Sequence, residues 1–91
     1  MTRATLPQDW QLITDEGVEK LKRQFTFADF KTALQFVNQV GQLAEQENHH
    51  PVIQFTWGRV TVWWWSHDVD GLSERDYRLA EKTSQVFKGH F

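Results

Sequence analysis

Residues 45–76 read E-Q-E-N-H-H-P-V-I-Q-F-T-W-G-R-V-T-V-W-W-W-S-H-D-V-D-G-L-S-E-R-D, and the parsing of this stretch decides the fold. It holds three of the chain's four histidines, His49, His50 and His67, between the acidic Glu45 and Asp76. Pro51 disfavours helix at the residue before it, so the spacing predicts a helix that ends at or near the His49-His50 pair and an extended run beyond. In that run Ile53, Phe55 and Trp57 fall on one face, and Val52, Gln54 and Thr56 on the other. A Gly58-Arg59 turn then reverses the chain. In the returning run Val60, Val62 and Trp64 oppose Arg59, Thr61, Trp63, Trp65 and His67 by the same two-residue period. Paired as a hairpin, the two runs bring His67 back to the end where His49 and His50 sit, so that three titratable rings share one mouth.

Three consecutive tryptophans cannot share a face of a strand. Trp64 belongs to the core. Trp63 and Trp65 lie on the His67 side, where they line a pocket, cover a subunit contact or simply form an aromatic sheet surface; the solubility cost of an exposed indole pair favours the first two.

Upstream, residues 1–9 form an irregular lead-in, with Leu6-Pro7 laid on the surface, and Trp10 to Thr14 form a short strand. Asp15-Glu16-Gly17 supplies turn chemistry. Leu21, Arg23, Phe25 and Phe27 then alternate with Lys20, Lys22, Gln24 and Thr26, the period of a half-buried strand. Thr26 followed by Asp29 is a capping-box-like helix start. From there Phe30, Ala33, Leu34, Val37, Val40, Gly41 and Ala44 recur at helical spacing to about Asn48. Phe36, Val40 and Leu43 form a second stripe beside the first, which either widens the core face or packs on another subunit. Downstream, Asp70-Gly71 makes a turn and Ser73 with Asp76 opens a second helix. That helix buries Leu79, Ala80, Thr83, Val86 and Phe87, and Gly89 stops it. Two hairpins and two helices predict an α+β domain: a small four-stranded antiparallel sheet with helices packed on one face.

With no repeat or linker, residues 1–91 read as one domain. A chain this short buries only roughly 60–65% of its unfolded surface, so oligomerisation is a natural supplement. Ten basic and twelve acidic residues give a net charge of -2 without a basic block. Direct nucleic-acid binding and a membrane-surface role are therefore not expected. Without cysteine there is neither a disulfide framework nor a thiolate metal site. The N-terminus lacks the apolar run of a signal peptide and no segment approaches a membrane span, so a soluble, cytoplasmic protein is expected.

A histidine cluster suits general acid–base work on a substrate that must lose one proton and gain another. No strong nucleophile competes: Ser66, beside His67, lies in no G-x-S-x-G context, and no Gly-rich phosphate cradle is present. Plainer roles exist for each residue. A histidine pair at a helix end can serve as a C-terminal cap, Asp76 as a helix cap, and Glu45 as a solvated carboxylate one turn before His49. Three imidazoles and a carboxylate could in principle hold a metal, but adjacent histidines rarely both point at one ion.

The spacing Glu45, three residues, His49-His50-Pro51, five residues, Trp57, nine residues, His67, eight residues, Asp76 resembles the signature of the pterin-4a-carbinolamine dehydratases. G-L-S-E-R-D at 71–76, F-T-F-A-D-F at 25–30 and Leu6-Pro7 with Trp10 are similar to the family as well, so the resemblance spans nearly the whole chain. It implies a four-stranded antiparallel sheet with helices on one side, a short N-terminal helix, and assembly into homodimers or homotetramers. It also implies removal of water from a 4a-hydroxytetrahydropterin to give the quinonoid dihydropterin, serving aromatic amino-acid hydroxylases, with no cofactor and no metal. Carried over by position, His49, His50 and His67 are the catalytic histidines; since the elimination needs one group to accept a proton and another to donate one, the expectation is that His49 and His67 are the proton-transfer pair and His50 holds the hydroxyl or the ring. Glu45 and Asp76 are the flanking acidic positions that orient imidazoles, and Trp57, Ser66 and Trp65 complete the supporting and substrate-binding set. The departures are Trp63 and Trp65, where relatives carry small polar residues, which bears on pocket width and on the pterin side chain accepted. Family members also act as dimerisation partners of transcription factors or in protein assembly, so a protein partner is the competing expectation.

Overall fold

The computed structural model describes residues 5–91, except for the side chain of His90. The start of the irregular lead-in, residues 1–4, lies outside the described residues. The elements in chain order are β1 (Gln11–Asp15), β2 (Val18–Thr26), α1 (Phe30–Glu47), β3 (Val52–Thr56), β4 (Arg59–Trp64), one 3-10 turn (His67–Val69) and α2 (Glu74–His90). The strands form one antiparallel sheet in the order β1-β2-β4-β3, and both helices pack on one face of it, giving the expected α+β architecture. Residues 5–10 make a turn, with Trp10 N–H donating to the Pro7 carbonyl at 3.2 Å, where the resemblance implied a short helix.

Strand alternation places the core. Leu21 and Phe25 of β2 and Val60, Val62 and Trp64 of β4 are buried under the helices. The register pairs Leu21 with Trp64 and Phe25 with Val60. Arg23 shares that inward face, and its guanidinium lies over the Phe25 ring at 4.4 Å and donates to Ser84 Oγ at 2.8 Å. Burial lowers its pKa, against the raising effect of Asp9.

Helix α1 starts one residue after Asp29, not at Thr26, which is the last residue of β2. Asp29 is itself the N-cap, its carboxylate accepting the Thr32 N–H at 2.7 Å. The residues α1 buries are Ala33, Phe36, Val40 and Ala44, a single line spaced by three and four. This corrects the division into two stripes: Phe36 and Val40 belong to this chain's own core, while Phe30 and Leu34 stay 50% and 40% exposed. Phe36 meets Phe25 and Phe27 at ring-centroid distances of 4.6 and 5.3 Å, so the sheet claims the side of the helix that carries it.

Two further boundaries move. The β3–β4 reversal is made by Trp57 and Gly58, with Arg59 already in β4, so Trp57 leaves the face of Ile53 and Phe55 and stands 68% exposed at the hairpin tip. A Cβ on Gly58 would come within 2.7 Å of the Phe27 carbonyl oxygen, which is why the tight turn carries glycine there. Helix α2 continues through Gly89 to His90, with Phe91 N–H bonded to the Phe87 carbonyl at 2.9 Å. No helix among the described residues is long and apolar enough to cross a membrane.

The end of α1 sets up the site. Asn48 adopts a left-handed conformation (φ 51°), and His49 N–H reaches back to the Ala44 carbonyl at 3.2 Å, a helix-terminating pattern that Pro51 then makes irreversible. Glu47, in the last turn, accepts from Lys82 of α2 at 3.0 Å and lies 3.9 Å from Arg78, which pins α1 to α2. The hydrogen bond from Lys82 is the main reason that the Glu47 pKa is lowered, and the Thr32 bond does the same for Asp29.

Both carboxylates thus ionise more readily folded than unfolded, so their contributions are complete above the unfolded carboxylate range and are lost as pH falls through the folded values. Asp29→Ala is expected to lower stability at neutral pH through loss of the helix N-cap. Melting followed from pH 7 downward should show that deficit shrinking in acid.

Candidate active site

Antiparallel pairing of Val52 with Trp63 brings the start of β3 and the end of β4 to one end of the sheet. His49 and His50 precede the first, and His67 follows the second. The adjacent histidines then part. His49 turns inward and is 8% exposed, with Nε2 2.7 Å from Asp76 Oδ1. Its ring stacks on the Trp64 indole, centroids 5.7 Å apart and planes 15° from parallel. His50 turns outward, half exposed, with Nε2 2.6 Å from Glu45 Oε2. This second pair lies in an open groove of about 820 Å³ between α1 and the β3 edge, with Gly41, Gln42, Pro51 and Ile53 among its walls.

Asp76 is the hub. It is fully buried in the first turn of α2, where the capping box formed with Ser73 holds it. Its Oδ2 accepts from Ser66 Oγ at 2.7 Å, Ser73 N–H at 3.0 Å and, at longer range, Ser73 Oγ at 3.4 Å, leaving Oδ1 to His49. A carboxylate with this many donors at a helix N-terminus is compensated for its burial.

Ser66, also fully buried, bonds through its main chain as well: its N–H donates to the Gly71 carbonyl at 2.7 Å, and Gly71 N–H donates to the Ser66 carbonyl at 3.2 Å. These bonds close the loop 66–71, so one residue ties the segment bearing His67 to the carboxylate that holds His49. Asp70, left-handed at φ 48°, completes the reversal.

His67 itself is exposed at the start of the 3-10 turn, with its ring against Trp65 at 4.5 Å. Trp65 is half buried on the helix-free face of the sheet. Trp57, at the opposite tip of the β3–β4 hairpin, is not brought to the histidines within one chain. Two features escaped the sequence reading: Ser66 was weighed as a nucleophile and counted in the supporting set, but not as the donor to Asp76 that it is here, and the parity that buried Trp64 did not reveal that its indole is the floor for His49. Among the described residues, no three His, Cys, Asp or Glu side chains converge as a metal shell.

One end of the sheet in this α+β domain thus carries one buried imidazole–carboxylate pair and two exposed imidazoles. The sequence profile of the family described as pterin 4 alpha carbinolamine dehydratase matches residues 1–86. A protein of Chlorobium limicola, provisionally described as a pterin-4-alpha-carbinolamine dehydratase, is 49% identical over 87 residues, covering 96% of this chain and 76% of that one. The crystal structure of a transcriptional coactivator/pterin dehydratase from Brucella melitensis superposes with a TM-score of 0.78 at 34% identity, covering 87% of this chain and 82% of the other. A pterin dehydratase-like protein identified as a RuBisCO assembly factor in the alpha-carboxysome shares the fold, with a TM-score of 0.73 at 18% identity over 87% of this chain and 89% of its own. The chain belongs to the pterin 4 alpha carbinolamine dehydratase family, whose enzymes are hydro-lyases.

Proposed function

We propose that this protein dehydrates a 4a-hydroxytetrahydropterin to the quinonoid dihydropterin, with His49 and His67 as the proton-transfer pair and His50 holding the substrate. One observation carries the reading: in a chain of this family, the buried His49–Asp76 pair and the His67 loop are joined through a single residue, Ser66, at 2.7 Å from Asp76. In the reaction a ring nitrogen gives up a proton and the C4a–O bond breaks with its electron pair on oxygen. The hydroxyl takes a proton and departs as water. Protons and electrons balance without an external acceptor, so one imidazole that accepts and one that donates suffice.

Asp76 holds the His49 Nε2, which leaves the Nδ1 side of that ring as the one that can face substrate. Glu45 does the same for His50 in the α1–β3 groove. This role, in the cytoplasm, would return the pterin to the cycle used by aromatic amino-acid hydroxylases. Following absorbance as the protein is added to freshly generated 4a-hydroxytetrahydropterin tests it directly: the decay should accelerate in proportion to protein. The same decay is expected to be unaffected by a chelator. Loss of rate on chelation, restored by zinc, would replace acid–base chemistry with a metal mechanism.

We propose in addition that the chain assembles through α1. Phe30, Leu34 and the half-buried Val37 and Gly41 form an outward line on that helix, and a Cβ on Gly41 would meet nothing within 4 Å. A glycine that weakens a helix interior is readily explained where a second helix must approach closely. The competing reading, a binding or assembly protein without catalysis, would use the same face, and the dehydration assay separates the two.

A further inference from the structure

We infer that Lys20 and Trp65 form a clamp that holds the His67 imidazole in its working orientation, an inference that rests on the proposed role of His67. The register makes the clamp. Leu21 pairs with Trp64, so Lys20 and Trp65 stand opposite one another one step beyond, both on the face of the sheet that the helices leave open. Lys20 Nζ sits 4.1 Å from the centre of the Trp65 ring and 3.0 Å from Asp15 Oδ2, and its side chain is only 15% exposed. The ammonium is attracted to the π face while Asp15 fixes it from the other side. Trp65 in turn meets the His67 ring at 4.5 Å with planes tilted by 44°. A continuous chain of contacts therefore runs from the β1–β2 turn, through Asp15, Lys20 and Trp65, to His67.

His67 needs such a support. Residues 67–70 are all exposed, and no hydrogen bond to the His67 ring is present among the described residues. This contrasts with His49 and His50, each of which has a carboxylate. An exposed side chain on a one-turn 3-10 segment samples several staggered χ1 wells. The flat indole surface, itself immobilised by Lys20, selects among them. A ring that must meet a reacting atom within a fraction of an ångström gains rate from that selection rather than from added binding.

The test compares Trp65→Thr and Lys20→Met with the conservative Trp65→Phe and Lys20→Arg, with His67→Ala measured in parallel, using in situ generated 4a-hydroxytetrahydropterin. Trp65→Thr is expected to lower kcat on the order of 10- to 100-fold with KM changed less than about twofold, because the loss is of orientation. Lys20→Met, which keeps the stem and removes the charge, should fall in the same direction by a smaller factor, and the two conservative variants should keep most of the rate. The His67 ring-proton resonances, displaced by the indole ring current, should move to ordinary values in Trp65→Thr and part of the way in Lys20→Met. Lys20→Met changes one side chain on an open sheet face, so it carries the test if Trp65→Thr folds poorly. Unchanged kcat in Lys20→Met and Trp65→Thr, a rise in KM alone, or unmoved His67 resonances would overturn the clamp. If His67→Ala is slow while the clamp variants are not, only this inference fails; if His67→Ala is itself fully active, the functional reading fails with it.

Discussion

Alanine at His49 or at His67 is expected to lower kcat/KM for dehydration by about 10²- to 10⁴-fold, the usual contribution of a positioned general acid or base. The wild-type profile of kcat/KM against pH should be bell-shaped, because one group must accept a proton and another donate one, and each variant should lose one limb. The double variant should be little slower than the poorer single one, because groups acting as a unit do not contribute additively. His50→Ala should mainly raise KM, since its ring is half exposed and paired with Glu45 in the groove.

The stability side differs between the two sites. His67→Ala removes an exposed ring and should melt like wild type. His49→Ala strips one partner from a fully buried carboxylate, yet Asp76 keeps Ser66 and Ser73 as donors, so a loss of about 1–3 kcal/mol is expected rather than unfolding. Melting curves and stopped-flow absorbance, corrected for spontaneous dehydration, measure both. Wild-type turnover in the two folded single variants would move the chemistry off these rings and favour a binding protein.

Phe36→Asp is expected to abolish folding, and Leu34→Asp to leave the fold intact while dissociating the assembly. Phe36 is fully buried in an aromatic cluster with Phe25, Phe27, Phe87 and Phe91, at centroid distances from 4.6 to 5.9 Å. Truncation of such a ring to alanine alone typically costs about 3–5 kcal/mol, and an unpaired carboxylate in its place costs more. Against a total stability of roughly 5–15 kcal/mol, little would be left. Leu34, two residues before Phe36 on the other side of the helix and 40% exposed, can carry a charge in the free chain at small cost but not within a helix–helix contact. Circular dichroism separates the two variants by fold, and sedimentation by mass. A Leu34→Asp protein with unchanged mass would remove α1 as the interface.

The helix error behind this contrast is instructive. Periodicity along α1 marks apolar positions over about half of the helix circumference, and hydrophobicity does not say which part the sheet will cover. Phe36 and Leu34 are equally apolar to a sequence reading. Only the packing of Phe25 and Phe27 against one of them distinguishes core from surface. The hairpin tip shows the same limit at shorter range: the two-residue period carried Trp57 onto the inward face, but a close approach of Gly58 to the Phe27 carbonyl fixes the turn one residue earlier.

The sequence by itself determined the elements, the antiparallel sheet with its helices on one face, the return of His67 toward the histidine pair, and the capping role of Ser73 with Asp76, because these follow from local rules of period, turn chemistry and proline. It also supplied the pattern by which the family is recognised. Tertiary structure alone decided that His49 is buried on Asp76 while His50 faces a groove with Glu45. Adjacent residues after a left-handed Asn48 point in opposite directions, and which one goes inward depends on where Trp64 and the α2 N-terminus lie. It also decided that Ser66 joins the two halves of the site and that Lys20, 45 positions before Trp65, stands over its ring, contacts that exist only because strand register brings distant residues to one place.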